Sequence, residues 1–314
     1  MEKVLTLILL TCSGASWLDR ALEALKAPEL PEGLEILVAD TGPEEKAREL
    51  VSGYCRCYPG TVDLVIAEKG NPGGAVTTAL NRAKGAYCWV LPGQTLADFR
   101  DLSLLLEVLR RDSWDAVVTG FRSGDRILLP GILTAAETWT PGQLGESWGH
   151  LKPFLIPPCV IFRRGYCQGL VLPGRNRHWD REYLIRGLCC ACSVGILNLA
   201  PMTLREPCPA EILPASLEEG LLVCSRIAEL PACLPVLAAG GRMELYSRLL
   251  GAFCLSLSLC AMGLPGGQEE RVRRVLLNDH PALLRKLRPR LFLLKLCSIQ
   301  RIPRSWCRLL LSGY

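Results

Sequence analysis

Three short segments place polar or glycine residues where an apolar run stops: Thr11-Cys12-Ser13, Asp40-Thr41-Gly42 and Leu91-Pro92-Gly93. In an open α/β sheet the ligand crevice lies at the carboxyl ends of the strands, so these three ends predict a binding site. Asp40 is the acid among them. In a strand-to-helix turn its carboxylate either accepts hydrogen bonds from nearby amides or contacts a ligand. A second acid, Asp180 in His178-Trp179-Asp180, stands at the head of a helical segment, where it could act as the N-cap. Cysteine and histidine do not suggest a metal centre. Cys55-Arg56-Cys57 and Cys189-Cys190-Ala191-Cys192 lack a second spaced pair and a His partner, and structural zinc needs four convergent ligands. His150, His178 and His280 are scattered.

The elements that must carry these residues follow from hydrophobic patterning. Val4 to Thr11, Leu34 to Val38, Val62 to Ala67, Tyr87 to Leu91, Ala116 to Gly120, Cys159 to Arg163 and Val194 to Leu199 read as strands. Trp17 to Leu25, Glu44 to Tyr54, Thr77 to Ala83, Leu102 to Arg111 and Arg181 to Leu188 read as helices. Alternation with short links predicts an α/β fold, a mostly parallel sheet with helices on both faces. Phe121 to Pro158, rich in Gly, Pro, Trp and Ser, is expected to be loops lining an open cleft. The proline-rich stretch from Pro201 to Pro214 suggests a boundary, giving residues 1–208 as one domain and 209–314 as a helical, basic region.

At 314 residues with 49% hydrophobic content, the chain can bury a sizeable globular core. Sixteen cysteines without a regular framework point to a reducing, cytoplasmic compartment, where most serve as small buried apolar residues. Val4 to Leu10 reads as a first buried strand rather than a secretory signal, because the run is seven residues long and Glu2 stands beside Lys3.

Gly85-Ala86-Tyr87-Cys88-Trp89-Val90-Leu91-Pro92-Gly93-Gln94-Thr95 resembles the G-E-Y-I-x-F-L-D-x-D-D segment of family-2 glycosyltransferases of the GT-A fold. Leu34-Glu35-Ile36-Leu37-Val38-Ala39-Asp40-Thr41-Gly42 is similar to that family's E-I-I-V-V-D-D-G-S, with Asp40 in the place of the second Asp. Asn71-Pro72-Gly73-Gly74 followed by Ala83-Lys84-Gly85 resembles its N-x-G…A-x-G-E-Y stretch. His178 to Arg186 resembles its E-D-x-E-L-x-x-R, with Trp179 replacing the Glu.

The resemblance implies a GT-A domain that moves a sugar from a nucleotide-diphospho-sugar donor to a glycan or lipid-linked acceptor. Thr11, Ser13 and Asp40 would hold the nucleotide, Gln94 would offer an amide oxygen at the donor site, and Asp180 would be the general base. Trp179 could stack on a sugar face, and Arg186 would help hold the acidic loop. The family's Asp pair binds Mg²⁺ or Mn²⁺, but Pro92-Gly93-Gln94 stands in that place and supplies no carboxylate. Either basic side chains meet the diphosphate, with Lys69, Arg82 and Arg177 as candidates, or the chain is an inactive relative that acts as a binding or scaffold subunit. A nucleotidyltransferase would show a Gly-rich phosphate loop with a Lys near the first strand, and the sequence has none.

Leu249 to Leu264 holds sixteen residues without a charge, short of the roughly 20 a membrane span needs. It is expected to be a buried helix packed on the catalytic domain. Residues 271–314 carry eleven Lys or Arg against Asp279 alone, a net +10 that leaves −5 for residues 1–270. Leu, Phe and Trp interleave with this charge, the pattern of a helix lying on an anionic membrane surface at the cytoplasmic face. No nucleic-acid module accompanies it. The full chain is expected to sediment with phosphatidylserine-containing vesicles at about 0.1 M salt and to be released at about 1 M. Sedimentation indifferent to salt would remove the electrostatic reading.

Overall fold

In the computed structural model, the described residues are 2–11, 15–26, 30–42, 45–93, 95–132, 134–176, 178–204 and 214–261. Strands β1 (Leu5–Thr11), β2 (Leu34–Asp40), β3 (Val62–Ile66) and β4 (Tyr87–Pro92) alternate with helices α1 (Ala15–Lys26), α2 (Glu45–Cys57) and α3 (Pro72–Arg82). Strand β5 (Thr95–Ala97) and helix α4 (Phe99–Arg111) lead to β6 (Ala116–Val118).

The Phe121 to Pro158 region, expected to be loops, is more structured than that. It holds β7 (Phe121–Ser123), β8 (Arg126–Leu128), β9 (Ala136–Trp139), α5 (Pro141–Glu146) and α6 (Trp148–Leu151). The strands are too short to show a period. Helix α5 is set by Thr140, whose capping box with Gln143 and the following Pro141 mark its start. Then come β10 (Val160–Arg163), α7 (Trp179–Cys190), β11 (Val194–Leu197) and β12 (Met202–Leu204). Helices α8 (Pro214–Ala228), α9 (Leu230–Cys233) and α10 (Arg242–Ala261) follow. The expected boundary at 208/209 falls in residues 205–213, outside the described residues.

The main sheet runs β3-β2-β1-β4-β10-β6-β11-β9. Pairing is parallel from β3 through β4 and between β6 and β11, while β10 and β9 run antiparallel to their neighbours. Every residue of β1 and β2 is buried, as expected for strands covered on both faces. Leu5, Leu7 and Leu9 face a core with Leu18 and Leu22 of α1, Val51 of α2 and Leu105 of α4. Ile8 and Leu10 face a second core with α3, α7, α8 and α10. A smaller sheet has the order β5-β12-β7-β8.

Two buried acids tie these layers. Glu35 Oε2 accepts from Thr6 Oγ1 at 2.6 Å and from Lys84 N at 2.8 Å, and Gly85 N donates to Thr6 Oγ1 at 2.8 Å. Gly85 must lack a Cβ, which would lie 2.4 Å from Thr6 N. Glu182 of α7, at 0% exposure, accepts from Arg186 Nε at 3.1 Å and from Arg226 Nε of α8 at 2.8 Å. Leu249, Leu250, Phe253 and Leu257 of α10 are buried in the same core. Among the described residues no helix is long and apolar enough to cross a membrane. Cys88, Cys159, Cys167 and Cys189 are buried free thiols, and burial pushes Cys167 up to about 12.

Arg226→Ala leaves the fully buried Glu182 with Arg186 as its remaining cation among the described residues. It is expected to lower unfolding stability by about 1–3 kcal/mol in a urea titration, with Arg226→Lys recovering part of the loss.

Candidate functional site

The carboxyl ends of β1, β2 and β4 lie level, with Thr11 opposite Asp40 and Leu10 opposite Pro92. A cavity of about 660 Å³ opens there, in the size range of small-molecule sites. Leu10, Thr41, Pro92 and Gly93 line it from the strand ends, and Lys69, Gly70 and Pro72 from the β3–α3 link. Arg175, Trp179 and Asp180 line it around the start of α7, and Glu219 contributes from α8.

Asp40 turns inward. Its Oδ1 accepts from Gly42 N at 3.0 Å and its Oδ2 from Arg48 Nε at 3.1 Å, so the acid orders the turn while Thr41 lines the cavity. Thr11 is buried, and its carbonyl accepts from Thr41 N at 2.9 Å and Thr41 Oγ1 at 3.2 Å. Thr11 therefore supports Thr41 from below, and Leu10 is the β1 residue that lines the cavity. Ser13 and Gln94 lie outside the described residues.

Asp180 is the second residue of α7. The N-cap is His178, which makes no side-chain cap bond, so the capping role does not fall to Asp180. Asp180 Oδ2 lies 3.8 Å from Arg181 Nε, while Oδ1 is buried without a hydrogen-bond partner among the described residues. An unsatisfied buried acceptor in the wall of a cavity calls for a donor from a ligand or from water. Trp179 is 4% exposed and packs on Tyr183 with ring centroids 6.3 Å apart, so its ring is largely committed to the core. Arg186 pairs with Glu182.

Of the three expected cations, Lys69 lines the cavity. Arg82 pairs with Asp63, the second residue of β3, and does not line the cavity, and Arg177 lies outside the described residues. Arg175 and Glu219 were not legible as site residues. Arg175 sits two positions from Arg177 in the same basic loop, the one signal that could have found it. Glu219 has no motif around it. Asn176 brings it in, with Nδ2 donating to the Glu219 carbonyl at 2.8 Å.

Among the described residues, the end of β4 offers a divalent cation no side-chain ligand. Pro92 and Gly93 have no oxygen-bearing side chain. The next acid, Asp98, is 3.4 Å from Arg122 Nε and does not line the cavity. Among the described residues no group of three or more His, Cys, Asp or Glu could hold a metal ion.

A parallel β3-β2-β1-β4 half-sheet, an antiparallel β10 beside β4 and a cavity at the strand ends define the GT-A fold. The chain belongs to glycosyl transferase family 2, whose pattern matches residues 6–170, just over half its length. The structure is similar to S. aureus TarS 1–349 in complex with UDP-GlcNAc, at a TM-score of 0.58 and 15% identity, covering 99% of this chain and 92% of that one. It also resembles a longer S. aureus TarS structure at a TM-score of 0.62 and 16% identity, covering 95% of this chain and 53% of that one. The chain thus spans about half the length of that protein. At such identities the likeness is one of fold. No curated protein sequence gives a significant match.

Gly73, in the loop–helix junction beside the cavity, donates its N–H to the Gly174 carbonyl at 3.0 Å, and a Cβ there would lie 2.2 Å from the Pro173 carbonyl. Gly73→Ala must displace the loop that carries Arg175. It is expected to cost about 1–3 kcal/mol in a urea titration. Gly53→Ala, in open space on α2, should instead stabilise by up to about 1 kcal/mol.

Proposed function

We propose that the protein transfers a sugar from a nucleotide-diphospho-sugar to a hydroxyl of a glycan or lipid-linked acceptor, with inversion at the anomeric carbon and Asp180 as general base. The observation that carries this reading is Asp180 in the wall of the cavity at the strand ends, with an Oδ1 that has no hydrogen-bond partner among the described residues. The carboxylate takes the acceptor's proton while the hydroxyl oxygen bonds to the anomeric carbon. The bond from that carbon to the diphosphate oxygen breaks, its electron pair stays on that oxygen, and the nucleoside diphosphate leaves. The nucleotide is assigned to the Asp40-Thr41-Gly42 turn, with Thr41 facing it and Asp40 holding the turn's shape. The GT-A fold, family membership and the nucleotide sugar bound by TarS support this donor class. Residues 271–314 would set the enzyme against an anionic membrane at the cytoplasmic face, where a lipid-linked acceptor lies.

A second reading is favoured by Pro92-Gly93: a family member that binds nucleotide but has lost turnover and serves as a subunit beside an active transferase. Nucleotide release from a panel of nucleotide sugars separates the two. Asp180→Asn is expected to lower turnover about 10²- to 10⁴-fold while nucleotide binding in a calorimetric titration is retained. Binding by the unmodified chain with no release from any donor would establish the subunit reading instead.

A further inference from the structure

We infer that the charge of the leaving nucleoside diphosphate is met by Lys69, assisted by Arg175, in place of a divalent cation. The inference rests on the donor class proposed above. Three observations carry it. The end of β4 supplies Pro92 and Gly93 to the cavity where a cation would need carboxylates. The omission is not forced by space, because a Cβ on Gly93 would meet only the Leu10 carbonyl, at 3.6 Å.

Lys69 lines the same cavity, and its ammonium makes no ion pair among the described residues. Arg175 reaches the cavity from the loop before α7 and is hydrogen-bonded to Glu68, the residue next to Lys69. The Arg175 guanidinium, and then the Asn71 amide at 3.3 Å, hold the Glu68 carboxyl below its usual range. Glu68 thus anchors Arg175 to the loop that carries Lys69, and its own charge is matched there. That loop is joined to the nucleotide turn, with Gly70 N donating to the Thr41 carbonyl at 3.2 Å.

The two acids that line the cavity, Asp180 and Glu219, come from α7 and α8. Attraction to the Lys69 loop and repulsion from those acids act in the same sense on a diphosphate. When the sugar–oxygen bond breaks, the electron pair that remains on the diphosphate oxygen faces an ammonium. Lysine is well suited to this as a compact charge on phosphate. The ammonium keeps its proton throughout, and the step needs no further reactant.

The test is calorimetric titration of the full chain with UDP, GDP, ADP, CDP and dTDP, each in EDTA and in Mn²⁺. At least one diphosphate is expected to bind in EDTA within about twofold of its affinity in Mn²⁺, and Lys69→Ala should weaken it about tenfold or more, the size of a lost charge-assisted contact. The corresponding nucleoside should be unaffected by Lys69→Ala, and Lys69→Arg should retain most of the affinity. Gly93→Asp, which the space admits, should weaken binding in EDTA by placing a like charge beside the diphosphate. Lys69 is exposed, so its replacement does not threaten the fold. Binding that requires Mn²⁺, or that ignores Lys69→Ala, overturns the inference and leaves the proposed donor class standing. Failure of every diphosphate to bind under both conditions overturns the donor class and the inference together.

Discussion

One buried carboxylate sets the level of the whole sheet. Glu35 is 3% exposed, lies at the start of β2, and joins Thr6 of β1 to the Lys84-Gly85 approach to β4. Apolar side chains alone would let parallel strands slide, since one Leu or Val serves nearly as well as the next. A satisfied polar network admits one register. A slip of one residue in β4 would send Trp89 to the opposite face, away from the Pro158 carbonyl its indole donates to at 2.7 Å. With the lower ends pinned, Leu10, Asp40 and Pro92 reach the top together, and the cavity exists because they do.

The second buried acid has a different task. Glu182 holds α8 against α7 through Arg226, and α8 carries Glu219 to the cavity. The carboxyl-terminal helices are therefore part of the site's wall as well as of the core. The cavity joins a wall built on strand ends to a wall built on helices. Asp180 stands on the latter, beyond the segment that matches the family pattern. Among the described residues its Oδ1 has no hydrogen-bond partner, whereas Glu35 and Glu182 each accept hydrogen bonds from two residues. That contrast separates Asp180 from the two acids that hold elements of the fold together.

Much of the sheet was legible because strands buried on both faces are written as unbroken apolar runs, as in Leu5 to Thr11. Helix α3 begins five residues earlier than Thr77, at Pro72. The signals were Asn71 as cap and Pro72 at the first position, and they carry no hydrophobic period. The short elements between Phe121 and Pro158 depend on pairing with distant strands: β9 on β11, and β7 on β12. No local pattern reveals such partners. In the site, Asp40 was legible as a turn acid, but whether its carboxylate faces the ligand or its own turn is decided by Arg48 and the Gly42 amide. Asp180 was legible through the motif around it. Glu219 was not, because a helix from another part of the chain delivers it.

The wall supplied by α8 also sets a schedule. A nascent chain with its first two hundred residues outside the ribosome has the strand ends in order, but it lacks Glu219 and the Arg226 that fastens its helix. A ligand that touches both walls of the cavity lacks its Glu219 contact on such a chain, and that part of its binding energy cannot yet stabilise the fold. The sheet must stand on its own core through that interval, with Glu182 waiting for its second arginine.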